Sequence, residues 1–175
     1  HRLYIGTSAG YIYRLDNSHE NNKANNVKNN LTTSGYSRSI SVDPNNGDNV
    51  MLSFSNYEVK SIHYSADGGG SWTDVSGNLE ENKSGFGSGP SVRSVHIQSV
   101  KNGLRYFAGT STGLYSTSFL DGENTVWTQE GSETIGNMVI DDIEGRHFDG
   151  FIVAGSHGNG IYSATISSDE LSIDE

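Results

Sequence analysis

Apolar and polar residues alternate in short runs along the chain, and turns rich in Gly, Ser and Asn separate the runs. A period of two is the signature of a strand that buries one face. Arg38-Ser39-Ile40-Ser41-Val42 sets Ile40 and Val42 on one side, and Arg93-Ser94-Val95-His96-Ile97 repeats the arrangement with Val95 and Ile97. A second unit also recurs. Leu3–Tyr13, Arg105–Tyr115 and Phe151–Tyr162 each read as an apolar strand, a Gly/Ser turn and a second strand ending in Tyr, and Met51–Tyr64 is a weaker copy. The copies return roughly every fifty residues, a spacing typical of repeats that each form one supersecondary unit of a larger array.

Laid over the chain, this pattern predicts strands at Arg38–Val42, Val50–Ser55, Ser61–Tyr64 and Ser71–Val75 in the second unit. In the third they fall at Val92–Val100, Tyr106–Thr110, Leu114–Ser118 and Thr125–Glu130. The last unit offers Asn137–Ile143, Phe151–Gly155 and Ile161–Ile166, without a clear fourth strand. The first offers Leu3–Gly6, Tyr11–Leu15 and an outer strand near Val27–Thr32, without an innermost one. The expected fold is all-β, a partial β-propeller of about three and a half blades, each a four-stranded antiparallel sheet. Residues 1–166 make up this unit, and the acidic stretch 167–175 reads as a tail or linker. Asn17–Asn30, almost wholly polar, and Glu80–Gly89 read as loops. A blade buries its faces only against its neighbours, so the expected partners include the remaining blades of the same ring, on a separate chain or another part of one polypeptide.

The most informative stretch is Ser65-Ala66-Asp67-Gly68-Gly69-Gly70-Ser71-Trp72. Three successive glycines suit a tight reversal between strands and not a strand interior. Asp67 is placed to accept N–H groups of the turn, Ser65 adds a hydroxyl, and Trp72 can cover the turn from the returning strand. Ser65, Asp67, Gly69 and Trp72 match the S-x-D-x-G-x-x-W repeat, so the chain resembles the Asp-box (BNR-like) β-propellers of sialidase-like, sortilin-like and xyloglucanase-like proteins. His157-Gly158-Asn159-Gly160-Ile161-Tyr162 is similar to the closing motif of exported bacterial propellers with sortilin-like or photosystem II stability/assembly factor-like repeats. Val42-Asp43-Pro44 and Gly69–Thr73 resemble blades of that group as well. The resemblance implies the C-terminal portion of a larger ring, an Asp-box that is structural and not catalytic, and secretion or display at the cell surface. In the third unit the box is degenerate, keeping Ser116, Gly122 and Trp127 with extra residues around Asp121.

Composition narrows the partners. A net charge of −10 argues against nucleic acid and against an anionic membrane surface. No apolar run is long enough for a membrane span, so no insertion is expected. The absence of cysteine removes disulfides and thiolate metal sites.

Arg38 and Arg93 share a repeat position at the start of the innermost strand, where two guanidinium groups facing the channel would bind a carboxylate or sulfate. The alternative is that each pairs with a neighbouring carboxylate. The third copy places Asn137 there, which completes no triad. Xyloglucanase-like enzymes use two aspartates across a cleft, and Asp141 and Asp142 could supply one, but adjacent strand residues point to opposite faces. His63 and His96 read as blade residues and His157 as a turn hydrogen-bonder; no zinc spacing occurs. No cofactor is expected, although calcium at Asp43–Asp48 or Asp121–Asn124 is compatible with the clustered oxygens there. Taken together, the sequence reads as a non-catalytic interaction module that takes a protein or carbohydrate ligand. A fragment of a glycoside hydrolase and a structural spacer are the alternatives.

Overall fold

The computed structural model describes residues 1–20, 22–100, 103–166 and 171–174. Four antiparallel sheets follow one another along the chain, each a meander in sequence order. Blade 1 comprises β1 (Arg2–Gly6), β2 (Ile12–Asp16) and β3 (Asn25–Asn26). Blade 2 comprises β4 (Ser37–Asp43), β5 (Asn46–Phe54), β6 (Ile62–Ser65) and β7 (Thr73–Asp74). Blade 3 comprises β8 (Val92–Val100), β9 (Gly103–Thr110), β10 (Gly113–Thr117) and β11 (Thr128–Glu130). Blade 4 comprises β12 (Ile140–Arg146), β13 (Phe151–Ser156), β14 (Ile161–Ile166) and β15 (Leu171–Asp174). The innermost strands β4, β8 and β12 lie side by side, and the sheets fan outward from them as blades of a propeller. The fourth strand that the pattern left unassigned in the last unit is β15, paired with β14. Within the acidic stretch expected as a tail, residues 167–170 and 175 lie outside the described residues.

Each interface between blades is one hydrophobic cluster, because alternate residues of a sheet face opposite neighbours. Ile12, Val27 and Leu31 of the first unit pack with Leu52, Phe54 and Trp72 of the second. Met51, Ile62 and Val75 pack with Val95, Ile97 and Trp127. Phe107, Leu114 and Ile135 pack with Ile143, Ile152 and Ala164. At the outer face of blade 1, Leu3 and Ile5 stay exposed.

The Ser65–Trp72 hairpin closes on itself. Gly69 N–H donates to the Ser65 hydroxyl at 2.8 Å, Ser71 N–H donates to Asp67 Oδ1 at 2.8 Å, and the Ser71 hydroxyl donates to Asp67 Oδ2 at 2.7 Å. These donors hold the Asp67 carboxyl below the usual carboxylate range. Gly68 and Gly69 adopt φ of 70° and 87°, where a side chain would be strained.

Trp72 does more than cover its own turn. Its ring enters the first blade interface, and the indole N–H donates to the Val27 carbonyl at 2.8 Å. Asn30 grips the Trp72 backbone on both sides, accepting from its N–H at 2.8 Å and donating to its carbonyl at 3.0 Å. Blade 3 repeats every contact. Trp127 donates from its indole to the Val75 carbonyl at 2.9 Å, and Asn78 accepts from Trp127 N–H at 2.7 Å and donates to its carbonyl at 3.0 Å. Val27-Lys28-Asn29-Asn30-Leu31 and Val75-Ser76-Gly77-Asn78-Leu79 are therefore two copies of one clip, with Val and Leu buried and Asn as the clamp. This corrects the expectation that Asn17–Asn30 buries little and that an outer strand runs over 27–32. The strand is the short β3, and Val27 and Leu31 anchor the next blade's tryptophan.

The degenerate box also shifts by one residue. Tyr64 pairs with Thr73, the residue after Trp72, and Ser116 pairs with Thr128, the residue after Trp127. Thr117, not Ser116, thus stands at the place of Ser65, and its hydroxyl accepts from Phe119 N–H as Ser65 accepts from Asp67 N–H. Ser116 instead donates to Glu130.

Candidate functional site

The inner strands are edge strands, and their outward N–H groups need partners. Serines of the preceding blade provide them. The Ser39 hydroxyl accepts from Val95 N–H at 3.2 Å, Ser41 from Ile97 N–H at 2.8 Å, and Ser94 from Ile143 N–H at 3.1 Å. This stitching fixes how the three inner strands sit side by side.

All three carry a β-bulge near their start. The register skips Arg38 between the pairs Ser37–Phe54 and Ser39–Ser53, Arg93 between Val92–Thr110 and Ser94–Gly109, and Asp141 between Ile140–Ser156 and Asp142–Gly155. A bulge leaves one residue unpaired and re-aims its side chain. The third member of the series is therefore Asp141, four residues beyond the Asn137 expected from the sequence.

Arg93 donates to Asp141 Oδ1 at 2.6 Å, and the other oxygen of Asp141 meets His157 Nδ1 at 2.9 Å. The Arg93 guanidinium, and then His157, hold the Asp141 carboxyl below the usual range. Asp142 points elsewhere, to the Ser94 hydroxyl at 3.2 Å and its own neighbour Ile143 N–H at 3.0 Å. The two aspartates thus take separate partners and do not form a carboxylate pair. Arg38 is exposed, and among the described residues it makes no side-chain hydrogen bond or ion pair. Arg38 and Arg93 line one open hollow together with Ser55, Tyr57 and Ser91. The structure therefore brings the two predicted arginines together. Arg93 is neutralised by a neighbouring carboxylate, and among the described residues Arg38 has none.

At the opposite end of blades 3 and 4, His96 and His147 stack with ring centroids 5.6 Å apart. His147 Nδ1 accepts from Ser99 N–H at 3.3 Å, and His96 Nε2 lies 3.2 Å from Gln98 Oε1. Burial pushes the His96 pKa down. The one carboxyl among the described residues that burial raises is Glu80, which accepts from Ser61 N–H at 3.0 Å beneath the outer strands of blade 2. Asp43, in the loop compatible with calcium, accepts from Asn45 N–H at 2.9 Å and Asn49 Nδ2 at 3.0 Å. Among the described residues no three His, Asp or Glu side chains converge as a metal site. No helix there is long and apolar enough to cross a membrane.

No known family profile and no curated protein sequence matches the chain. Solved structures do. A GH74 enzyme from Niastella koreensis superposes with a TM-score of 0.61 at 20% identity over 98% of this chain and 27% of its own. YCF48 from Cyanidioschyzon merolae superposes with a TM-score of 0.60 at 18% identity over 98% of this chain and 52% of its own. Sqt1 from Chaetomium thermophilum, solved bound to the N-terminus of ribosomal protein L10, gives 0.58 at 15% identity over 98% of this chain and 44% of its own. The chain thus spans between about a quarter and a half of the proteins it resembles. At these identities the likeness defines the fold: four blades of an all-β propeller.

Proposed function

We propose that the chain is part of a non-catalytic propeller that binds a ligand at the channel mouth, where the bulged residues of the inner strands converge. The observation that carries this reading is Arg38, an exposed guanidinium beside Arg93 in one hollow, with no carboxylate partner among the described residues. A free arginine on a rigid strand suits a carboxylate or sulfate of a protein or glycan, because the planar guanidinium pairs bidentately with planar anions. The remaining blades of the ring complete the mouth, and the module works as a secreted or cell-surface protein. The Ser65–Trp72 hairpin serves as an Asp-box in the structural sense, far from the mouth.

The hydrolase alternative needs a carboxyl poised as a proton donor next to a second carboxylate. Asp141 is held ionised by Arg93 and His157, which suits an anchor better than an acid.

The test is an NMR titration of the Arg38 and Arg93 Nε–Hε signals with glutarate and with sulfate. A saturable shift of the Arg38 signal, reduced for Arg93 and absent in Arg38→Ala, supports the reading. Equal small shifts of every arginine refute it.

A further inference from the structure

Three loops at the mouth end of the sheets share an unusual composition. Thr7-Ser8-Ala9-Gly10-Tyr11 joins β1 to β2, Thr33-Ser34-Gly35-Tyr36-Ser37 leads into β4, and Ser55-Asn56-Tyr57 leaves β5. Each presents one tyrosine, and all three are exposed, at 47%, 48% and 63%. The loops touch one another. A Cβ added at Gly10 would stand 2.7 Å from the Gly35 carbonyl oxygen, Tyr36 N–H donates to Asn56 Oδ1 at 2.6 Å, and Ser55 N–H donates to the Tyr36 carbonyl at 3.4 Å. Tyr57 lines the hollow that holds Arg38. Tyr11 closes the row at the blade 1 end, beside Tyr13 and under the Lys28 ammonium at 5.6 Å.

Tyr36 and Tyr57 stay exposed although blade 2 already has a blade on either side, so completing the ring at blade 1 does not bury them in a blade interface. Large amphipathic rings with only two side-chain torsions, set among Ser, Gly and Asn and next to a free arginine, are the composition of protein-binding loops. Tyr and Arg are also the residue types that dominate binding energy at protein interfaces. From this we infer that the Tyr11–Tyr36–Tyr57 row and Arg38 form a single docking surface for a partner protein, which presents an extended segment bearing a carboxylate to Arg38. This rests on the mouth being the binding end and narrows its ligand from protein or glycan to protein.

The test pans a displayed random-heptapeptide library against the intact chain and measures enriched peptides by isothermal titration. The expected result is enrichment of peptides with Asp or Glu, whose affinity falls about tenfold, the equivalent of roughly 1.4 kcal/mol, in Tyr57→Ser and in Arg38→Ala. Phe148→Ser, at an exposed position on the opposite end of the sheets, leaves it unchanged. Unaltered melting temperatures establish that the variants fold. Three results overturn the inference: no enrichment, peptides indifferent to both substitutions, or tyrosine-dependent binding to a neutral glycan array in place of peptides. Loss on Arg38→Ala without loss on Tyr57→Ser overturns the tyrosine row while leaving the arginine mouth standing.

Discussion

The clip that joins consecutive blades gives the sharpest stability prediction. Replacing Asn30 by Ala removes two hydrogen bonds to the Trp72 backbone, at 2.8 and 3.0 Å, and leaves those groups at an interface where the ring is only 5% exposed. Each net bond contributes about 0.5–1.5 kcal/mol, so the loss is about 2 kcal/mol. Asn30→Asp separates the two halves of the clamp. The carboxylate still accepts from Trp72 N–H but faces the Trp72 carbonyl without a donor, so the variant is destabilised as well. Trp72→Phe keeps most of the apolar contact and orphans the Val27 carbonyl, at about 1–3 kcal/mol, and Trp72→Ala costs about 3–5 kcal/mol. Urea denaturation followed by fluorescence reads these losses for Asn30→Ala and Asn30→Asp. Hydrogen exchange over residues 25–31 localises them, because a repeat array need not unfold in one step. Asn78→Ala, in the homologous clip on Trp127, should match Asn30→Ala within a factor of two. A loss below about 0.5 kcal/mol for both asparagines would refute the clip as the joint between blades.

Other outcomes follow from single contacts. His63 is buried edge-on against Phe54 with its pKa pushed down by burial to about 4, below the ordinary value of 6.5. The unfolded chain therefore binds the extra proton across pH 6.5 to 4, so stability is full above this window and falls as pH drops through it, by up to about 3 kcal/mol. His63→Phe should flatten that acid limb in urea midpoints taken at pH 7, 5 and 4. Arg93→Ala should let the Asp141 carboxyl rise toward its ordinary value in an NMR titration, whereas Arg38→Ala leaves it in place. Gly145→Ala would drive a methyl into the Gln98 and His96 side chains and should lower stability by about 1–3 kcal/mol in denaturation. Ser41→Ala strips the partner from Ile97 N–H and should cost about 1–3 kcal/mol, with faster exchange at that amide.

The strand quartets of blades 2 and 3 were legible because alternation of apolar residues is dictated by burial between neighbours, as at Val95 and Ile97. The hairpin at Asp67 was legible because its positive φ values favour glycine, and the sequence places glycines there. The clip was written in the sequence too, as V-x-x-N-L at 27–31 and again at 75–79. An Asn-rich surround hid the first copy, since asparagine signals turns far more often than clamps. The bulges were not legible. They recur at Arg38, Arg93 and Asp141, and the last inner strand has too few apolar residues to fix its phase, so Asp141 and not Asn137 is set beside Arg93 only once the strand pairing is known. The fourth strand of blade 4 was hidden for a different reason, because Leu171-Ser172-Ile173-Asp174 sits in an acidic context that reads as solvated chain.

Everything proposed for the mouth requires that the tyrosine loops and the bulged arginine strands meet at one end of the sheets. A nitroxide attached at Tyr57→Cys in this cysteine-free chain tests that arrangement directly. The account predicts strong paramagnetic broadening of the amides of residues 36–38 and 91–93, with the β12–β13 turn around Phe148 unaffected. Broadening around Phe148, or sharp signals at Arg38 and Arg93, would contradict it.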